Sequence, residues 1–121
     1  MAHTILAVDD SKSIRDMIKL TLVPLGYRVV EGDNGQSGIE VFRREQVSLV
    51  ITDLNMPVMN GFDFIRAVRG MPKGAGVPII MLTTESKPEA KAEGKAAGAT
   101  GWITKPFTPE NLISVAKRLA G

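Results

Sequence analysis

Five residues scattered along the 121-residue chain have the types needed for phosphoryl chemistry: Asp9, Asp10, Asp53, Thr83 and Lys105. Each follows a short apolar run: Thr4 to Val8 before the two acids, Leu49-Val50-Ile51 before Asp53, Val77 to Leu82 before Thr83, and Ala99 to Ile103 before Lys105. If the runs are parallel strands, their carboxyl ends share one edge of a sheet, where such sheets bind ligands. Three carboxylates in one cleft repel. A pair at ~4 Å costs on the order of 1 kcal/mol in water and about 4 at an effective dielectric of 20. One acid must take a proton, or a cation must join them. Oxygen ligands without His or Cys select a hard cation, Mg²⁺ first, and Mg²⁺ keeps waters and adds phosphate oxygens. One arrangement uses every group. Asp53 attacks phosphorus and becomes an aspartyl phosphate. Asp9, Asp10 and Asp53 hold Mg²⁺ with a backbone carbonyl at Asn55. Lys105 meets a phosphoryl oxygen as a point charge, and the Thr83 hydroxyl donates to another. Catalysis is then positioning plus electrostatics.

The elements that must position these groups can be read from periodicity. Ser11 or Ser13 can cap a helix whose apolar face carries Ile14, Met17, Ile18, Thr21, Leu22 and Leu25, with Pro24 and Gly26 at its end. Tyr27 to Glu31 reads as a strand, Gly32 to Gly35 as a turn, and Gln36 to Glu45 as an amphipathic helix. After Pro57, Asn60-Gly61 turns the chain, and Phe64, Ile65 and Val68 line a third helix. Gly70, Pro72, Gly74 and Gly76 read as a loose connection. Pro88 to Ala97 is the weakest helix, almost without large apolar residues. Thr108 caps a last helix, with Pro109 at its first position and Leu112, Ile113, Ala116 and Leu119 on its buried side. Strand and helix alternate five times, which predicts an α/β fold: a five-stranded parallel sheet, doubly wound, with helices on both faces. Residues 1–121 read as one domain.

Composition narrows the function classes. Apolar residues make up 44% and charged residues 23%, as in an ordinary globular domain. There is no Cys, hence no disulfide, thiolate metal site or thiol nucleophile. A net charge of +2, without a Lys/Arg block, gives no sign of nucleic acid. No apolar run reaches membrane-spanning length, and the acid pair comes too early for a signal peptide. A cytoplasmic protein is expected. The first strand–helix turn, Val8-Asp9-Asp10-Ser11-Lys12, is acidic and not glycine-rich, which disfavours a dinucleotide or flavin site.

The chain resembles the receiver domain of two-component response regulators, above all the single-domain chemotaxis regulators of CheY type. The resemblance covers essentially the whole chain. It rests on Val8-Asp9-Asp10-Ser11, Asp53 with Met56-Pro57 and Asn60-Gly61, Thr83-Thr84-Glu85, and Lys105-Pro106-Phe107 in that order. It implies the flavodoxin-like strand order 2-1-3-4-5 and a cis peptide before Pro106. It implies that a sensor histidine kinase donates a phosphoryl group to Asp53. Thr83 then moves toward the phosphate while the aromatic residue of strand five, here Trp102 where the family more often has Tyr, turns inward. The helix 4–strand 5–helix 5 surface would change its partner affinity, a population shift. Asn55 and Glu85 match positions thought to tune phosphate lifetime. The implied output is the flagellar motor switch in chemotaxis, reached by a monomer; a phosphate sink or a relay protein would look nearly the same. Lys87, Lys91 and Lys95 on helix four are candidates for partner choice.

Taken singly, each feature has a plainer reading. Asp9-Asp10 or Thr83-Thr84 could be helix caps, Lys105 a solvated lysine, Trp102 a packing residue and His3 inert. Two other functions compete. An aspartyl-nucleophile phosphatase would need an acid two residues after the nucleophile, where Asn55 stands. An interaction module that no longer takes phosphate would be expected to lose one of the five groups, and all five are present.

Overall fold

The computed structural model describes residues 3–84 and 87–121. Five strands alternate with five helices: β1 Thr4–Val8, α1 Lys12–Leu22, β2 Arg28–Gly32, α2 Gly35–Arg44, β3 Leu49–Thr52, α3 Gly61–Arg69, β4 Ile79–Thr83, α4 Pro88–Ala97, β5 Gly101–Thr104 and α5 Pro109–Leu119. The strands form one parallel sheet in the order β2-β1-β3-β4-β5, the flavodoxin-like order implied by the resemblance.

Side chains alternate across each strand, so each strand feeds two cores. Ile5, Ala7, Leu49, Ile51, Ile80, Leu82 and Ile103 pack with Ile18 and Leu22 of α1 and Leu112, Val115 and Ala116 of α5. Leu6, Val8, Val50, Ile79 and Met81 pack on the opposite face with Phe42 of α2, Phe64, Ile65 and Val68 of α3, and Ala97 of α4. Double winding therefore follows from strands apolar at nearly every position.

Helix boundaries follow their caps. Ser11 Oγ accepts from Ile14 N at 3.3 Å, Asn60 Oδ1 from Asp63 N at 2.9 Å, and Thr108 Oγ1 from Asn111 N at 3.1 Å. Asn34 and Ser37 form a reciprocal capping box on α2. α4 starts at Pro88 without a side-chain cap and buries only Gly94 and Ala97, in line with its weak pattern.

Three sequence expectations change. Met17 and Leu25, placed on the buried face of the first helix, are 44% and 45% exposed. The helix ends at Leu22 and tightens into a 3-10 turn over Val23–Leu25, which rotates Leu25 out of the stripe. Tyr27, Val77 and Ala99 lie just outside the strands assigned to them. The connection from residue 70 to 77 is tied down and not loose. Arg69 donates to the carbonyls of Gly74, Val77 and Gly98, and Gly74 is buried against the Val68 carbonyl.

Candidate phosphoryl and metal site

Sheet register assembles the site. β1 and β3 are neighbours at the point where the strand order reverses, and the chain leaves them toward opposite edges of the sheet, which opens a crevice at their carboxyl ends. Val8 pairs with Thr52, so Asp9 and Asp53 follow side by side, and Asp53 N donates to the Val8 carbonyl at 2.9 Å. Thr83 pairs with Thr104, and Lys105 N donates to the Thr83 carbonyl at 2.7 Å. Asp9, Asp53 and Lys105 each extend the alternate row of their strand that packs under α1 and α5: Ile5-Ala7-Asp9, Leu49-Ile51-Asp53 and Ile103-Lys105. The same period-2 geometry that builds one core thus aims two acids and the ammonium into one crevice.

Carboxylate oxygens of Asp9, Asp10 and Asp53 lie within 4.8 Å of one another. Asp9 and Asp53 are buried, and Asp10 is exposed at the rim. Lys105 Nζ lies 3.1 Å from Asp9 Oδ2 and 3.6 Å from Asp53 Oδ1. Asp9 Oδ1 accepts from Ser11 N at 2.9 Å. Asp53 Oδ1 accepts from Leu54 N at 2.8 Å, and the Asn55 N–H lies near the same carboxylate. Burial pushes the Asp53 carboxyl above the ordinary carboxylate range, with the Asp9 charge adding to the push; the Lys105 ammonium and the two N–H groups pull the other way. Burial therefore disfavours the anion at Asp53. Three oxygen-bearing anions against one ammonium fit a hard dication. Asp9, Asp10 and Asp53 are the residues that could hold it, and the Asn55 carbonyl belongs to the loop that leaves Asp53.

The loop after Asp53 is tightly built. Met59 N donates to the Pro57 carbonyl at 2.8 Å across Val58, whose φ is 72°. This is a γ-turn with its central residue in the left-handed region, a strained form for a β-branched side chain. Gly61 opens α3 against the back of the nucleophile candidate: a Cβ there would stand 2.2 Å from the Asp53 carbonyl oxygen. The Lys105–Pro106 peptide is cis, as the resemblance implied.

Thr83 is 2% exposed at the end of β4. Trp102 pairs with Met81, two residues before the Thr83–Thr104 pair, so Thr83 and Trp102 are diagonal neighbours on one sheet face. Trp102 is 40% exposed, with Lys91 Nζ 5.0 Å from its ring centroid. The plain packing reading of this tryptophan does not hold, nor does that of Lys105 as a solvated lysine. Lys105 is mostly buried and ion-paired. Thr83-Thr84 does not cap α4, which begins at Pro88. His3 is exposed and lies 3.3 Å from Ser48 Oγ. Glu85, named for phosphate lifetime, lies outside the described residues; Asn55 is exposed beside Asp53. Two residues escaped the sequence reading as contributors to this site. One is Gly61, which looked like half of a turn. The other is Arg15, whose Nη1 donates to the Asp9 carbonyl at 2.6 Å and which looked like any helix-surface arginine.

The response regulator receiver domain model matches residues 5–117. A chemotaxis protein CheY homolog of Campylobacter jejuni is 41% identical over 110 residues, covering 89% of this chain and 85% of its own. The crystal structure of chemotaxis protein CheY4 of Vibrio cholerae superposes with a TM-score of 0.94 at 46% identity, covering 98% of this chain and 99% of its own. The receiver domain of a Pseudomonas aeruginosa sensor histidine kinase superposes with a TM-score of 0.91 at 28% identity, covering 100% of this chain and 99% of its own. That domain carries a magnesium ion coordinated in its active-site cleft.

Proposed function

The chain belongs to the response regulator receiver family of two-component signalling, and from that membership we propose that it is a phospho-acceptor switch whose acceptor is Asp53. The observation that carries the reading is the convergence of Asp9, Asp10, Asp53 and Lys105 on one crevice at the sheet edge. A sensor histidine kinase is the donor. An Asp53 carboxylate oxygen attacks the phosphorus of a phosphohistidine; the P–O bond forms as the P–N bond breaks, and the imidazole leaves with the electron pair. Mg²⁺, the proposed cofactor, supplies charge neutralisation for the phosphoryl oxygens and the carboxylates. Lys105 turns from the acids toward a phosphoryl oxygen, and the Thr83 hydroxyl donates to another. The protein turns over no separate substrate. It promotes its own phosphorylation and the later hydrolysis of the acyl phosphate.

The output follows from Thr83 and Trp102. Movement of Thr83 toward the phosphate vacates space on its sheet face, and Trp102 swings into it. The α4–β5–α5 surface, with Lys91 and Lys95 on its helix and Lys87 just before it, changes its affinity for a protein target. Relatives named for chemotaxis that match most of this chain favour the flagellar motor switch as that target, met by a monomer in the cytoplasm. No described helix is long and apolar enough to cross a membrane.

Incubation with radiolabelled acetyl phosphate and Mg²⁺ tests the reading. Wild type is expected to take label and Asp53→Asn none; equal labelling of both would overturn it. Beryllofluoride-dependent capture of a purified motor-switch fragment tests the output. Binding unchanged by beryllofluoride would leave the receiver without that target.

A further inference from the structure

The acid pair is held by more than its own turn. Asp9 N donates to the Gly32 carbonyl at 3.1 Å, the last rung between β1 and β2. Beyond that rung the Asp9 carbonyl accepts from Arg15, which reaches back from α1. The guanidinium is itself fixed: Arg15 Nε donates to Glu31 Oε1 at 3.0 Å, and Lys19 Nζ meets the other oxygen of Glu31 at 2.9 Å. Only 14% of the Arg15 side chain is exposed. A planar fork with one branch on β2 and another on the Asp9 carbonyl sets the plane of the Asp9–Asp10 peptide. That plane sets where both acidic side chains leave the backbone. Asp9 has a second restraint through Ser11 N, whereas Asp10 stands exposed at the rim. Asp10 is therefore the group most dependent on the peptide's orientation.

We infer that Arg15 is a positioning residue for divalent-cation capture, acting through the Asp9 carbonyl to hold Asp9 and Asp10 against Asp53. The inference rests on the proposed function for the identity of the cation, not for the geometry. Partners that orient metal ligands are commonly worth about 10–100-fold in affinity. Lys19 belongs to the same network on its outer side and does not touch the acid pair, which makes it the control.

The test is calorimetric titration of the full chain with MgCl₂, without any phosphodonor, on wild type, Arg15→Met, Arg15→Lys and Lys19→Met. Arg15→Met is expected to raise the dissociation constant about tenfold. Arg15→Lys, which keeps the charge but cannot span both acceptors, should fall between it and wild type. Lys19→Met should stay within about twofold of wild type, since it leaves the Asp9 contact in place. If Arg15→Met and Arg15→Lys melt lower than wild type yet bind Mg²⁺ as tightly, Arg15 is only a strap and the inference is overturned. Should Arg15→Met not fold, the lysine variant decides alone. A wild type that binds Mg²⁺ in an Arg15-dependent way but takes no label would sink the proposed function and leave this inference standing. A wild type that binds no Mg²⁺ sinks both.

Discussion

The Lys105 ammonium lies closer to Asp9 than to Asp53, at 3.1 Å against 3.6 Å. In this state the lysine chiefly neutralises the acid at the end of β1. The carboxylate at the end of β3 lies farther from the ammonium, and burial raises its pKa against that partial compensation. Replacing Asp53 should therefore help the metal-free fold. Asp53→Asn removes one anion and leaves the Lys105–Asp9 pair in place. It is expected to stabilise the metal-free protein by about 1 kcal/mol, the scale of one like-charge contact. Urea denaturation in EDTA measures this, and a less stable variant would contradict it.

The same carboxyl makes stability depend on pH. Its folded pKa lies above the ordinary value of 3.8, so the folded state holds a proton that the unfolded chain has released. The favourable contribution is complete below the unfolded value and is lost as pH rises through the folded one. Without metal, the Asp53 contribution should decline as pH climbs above 3.8. Mg²⁺ requires the deprotonated acid and should reverse the slope, adding about 2.7 kcal/mol at a hundredfold excess over its dissociation constant. Melting curves of wild type and Asp53→Asn across pH, with and without Mg²⁺, isolate the effect. The Asp53→Asn variant should show neither the decline nor the full metal gain.

Gly61 is expected to tolerate no side chain. Alanine would suit the first turn of α3 by helix propensity. Its Cβ would nevertheless meet the Asp53 carbonyl at 2.2 Å and Leu54 Cα at 2.7 Å. Gly61→Ala should cost about 1–3 kcal/mol, as overpacking does, and shift the Asp53 backbone. Denaturation together with acetyl-phosphate labelling checks both parts; a stabilised, fully labelled variant would be the contrary result.

Val58 offers the opposite case. It is 81% exposed and holds φ at 72°, so it contributes strain without packing. Asparagine enters the left-handed region more readily than a β-branched residue. Val58→Asn should stabilise the protein by about 1 kcal/mol, within the usual range for such strain. Thermal melting would register this as a rise of about 4 °C or more for a domain near this size.

Trp102 and Lys91 bear on the switch. A cation over an indole is worth about 0.5–1 kcal/mol at an exposed site. Lys91→Ala removes that support from the outward ring and should increase the inward population by about two- to fivefold. Tryptophan fluorescence with Mg²⁺ and beryllofluoride reads the change, since Trp102 is the chain's one tryptophan. An unchanged response would mean that Lys91 does not hold the ring.

Much of this was legible before any coordinates. The apolar runs ending on Asp9, Asp53, Thr83 and Lys105 carry both fold class and site, because strand periodicity and strand-end position are local properties. Strand order is not local, and it came from the resemblance. Exposure of Met17 and Leu25 depends on which turn of α1 meets α5, which helical spacing does not state. The tether made by Arg69 and the clamp made by Arg15 use an ordinary surface residue type on backbone carbonyls, and nothing in sequence separates those two arginines from Arg43 or Arg44, which stay exposed. The strain at Val58 is hidden for a different reason. Valine is a residue that sequence rules place in extended backbone.

The ion pair between Lys105 and Asp9 joins residues 96 positions apart. During synthesis the two N-terminal acids leave the ribosome first, then Asp53, and the ammonium emerges only when β5 has been made. A nascent chain stalled before that point has the acids without their counter-ion and lacks the edge strand that carries it.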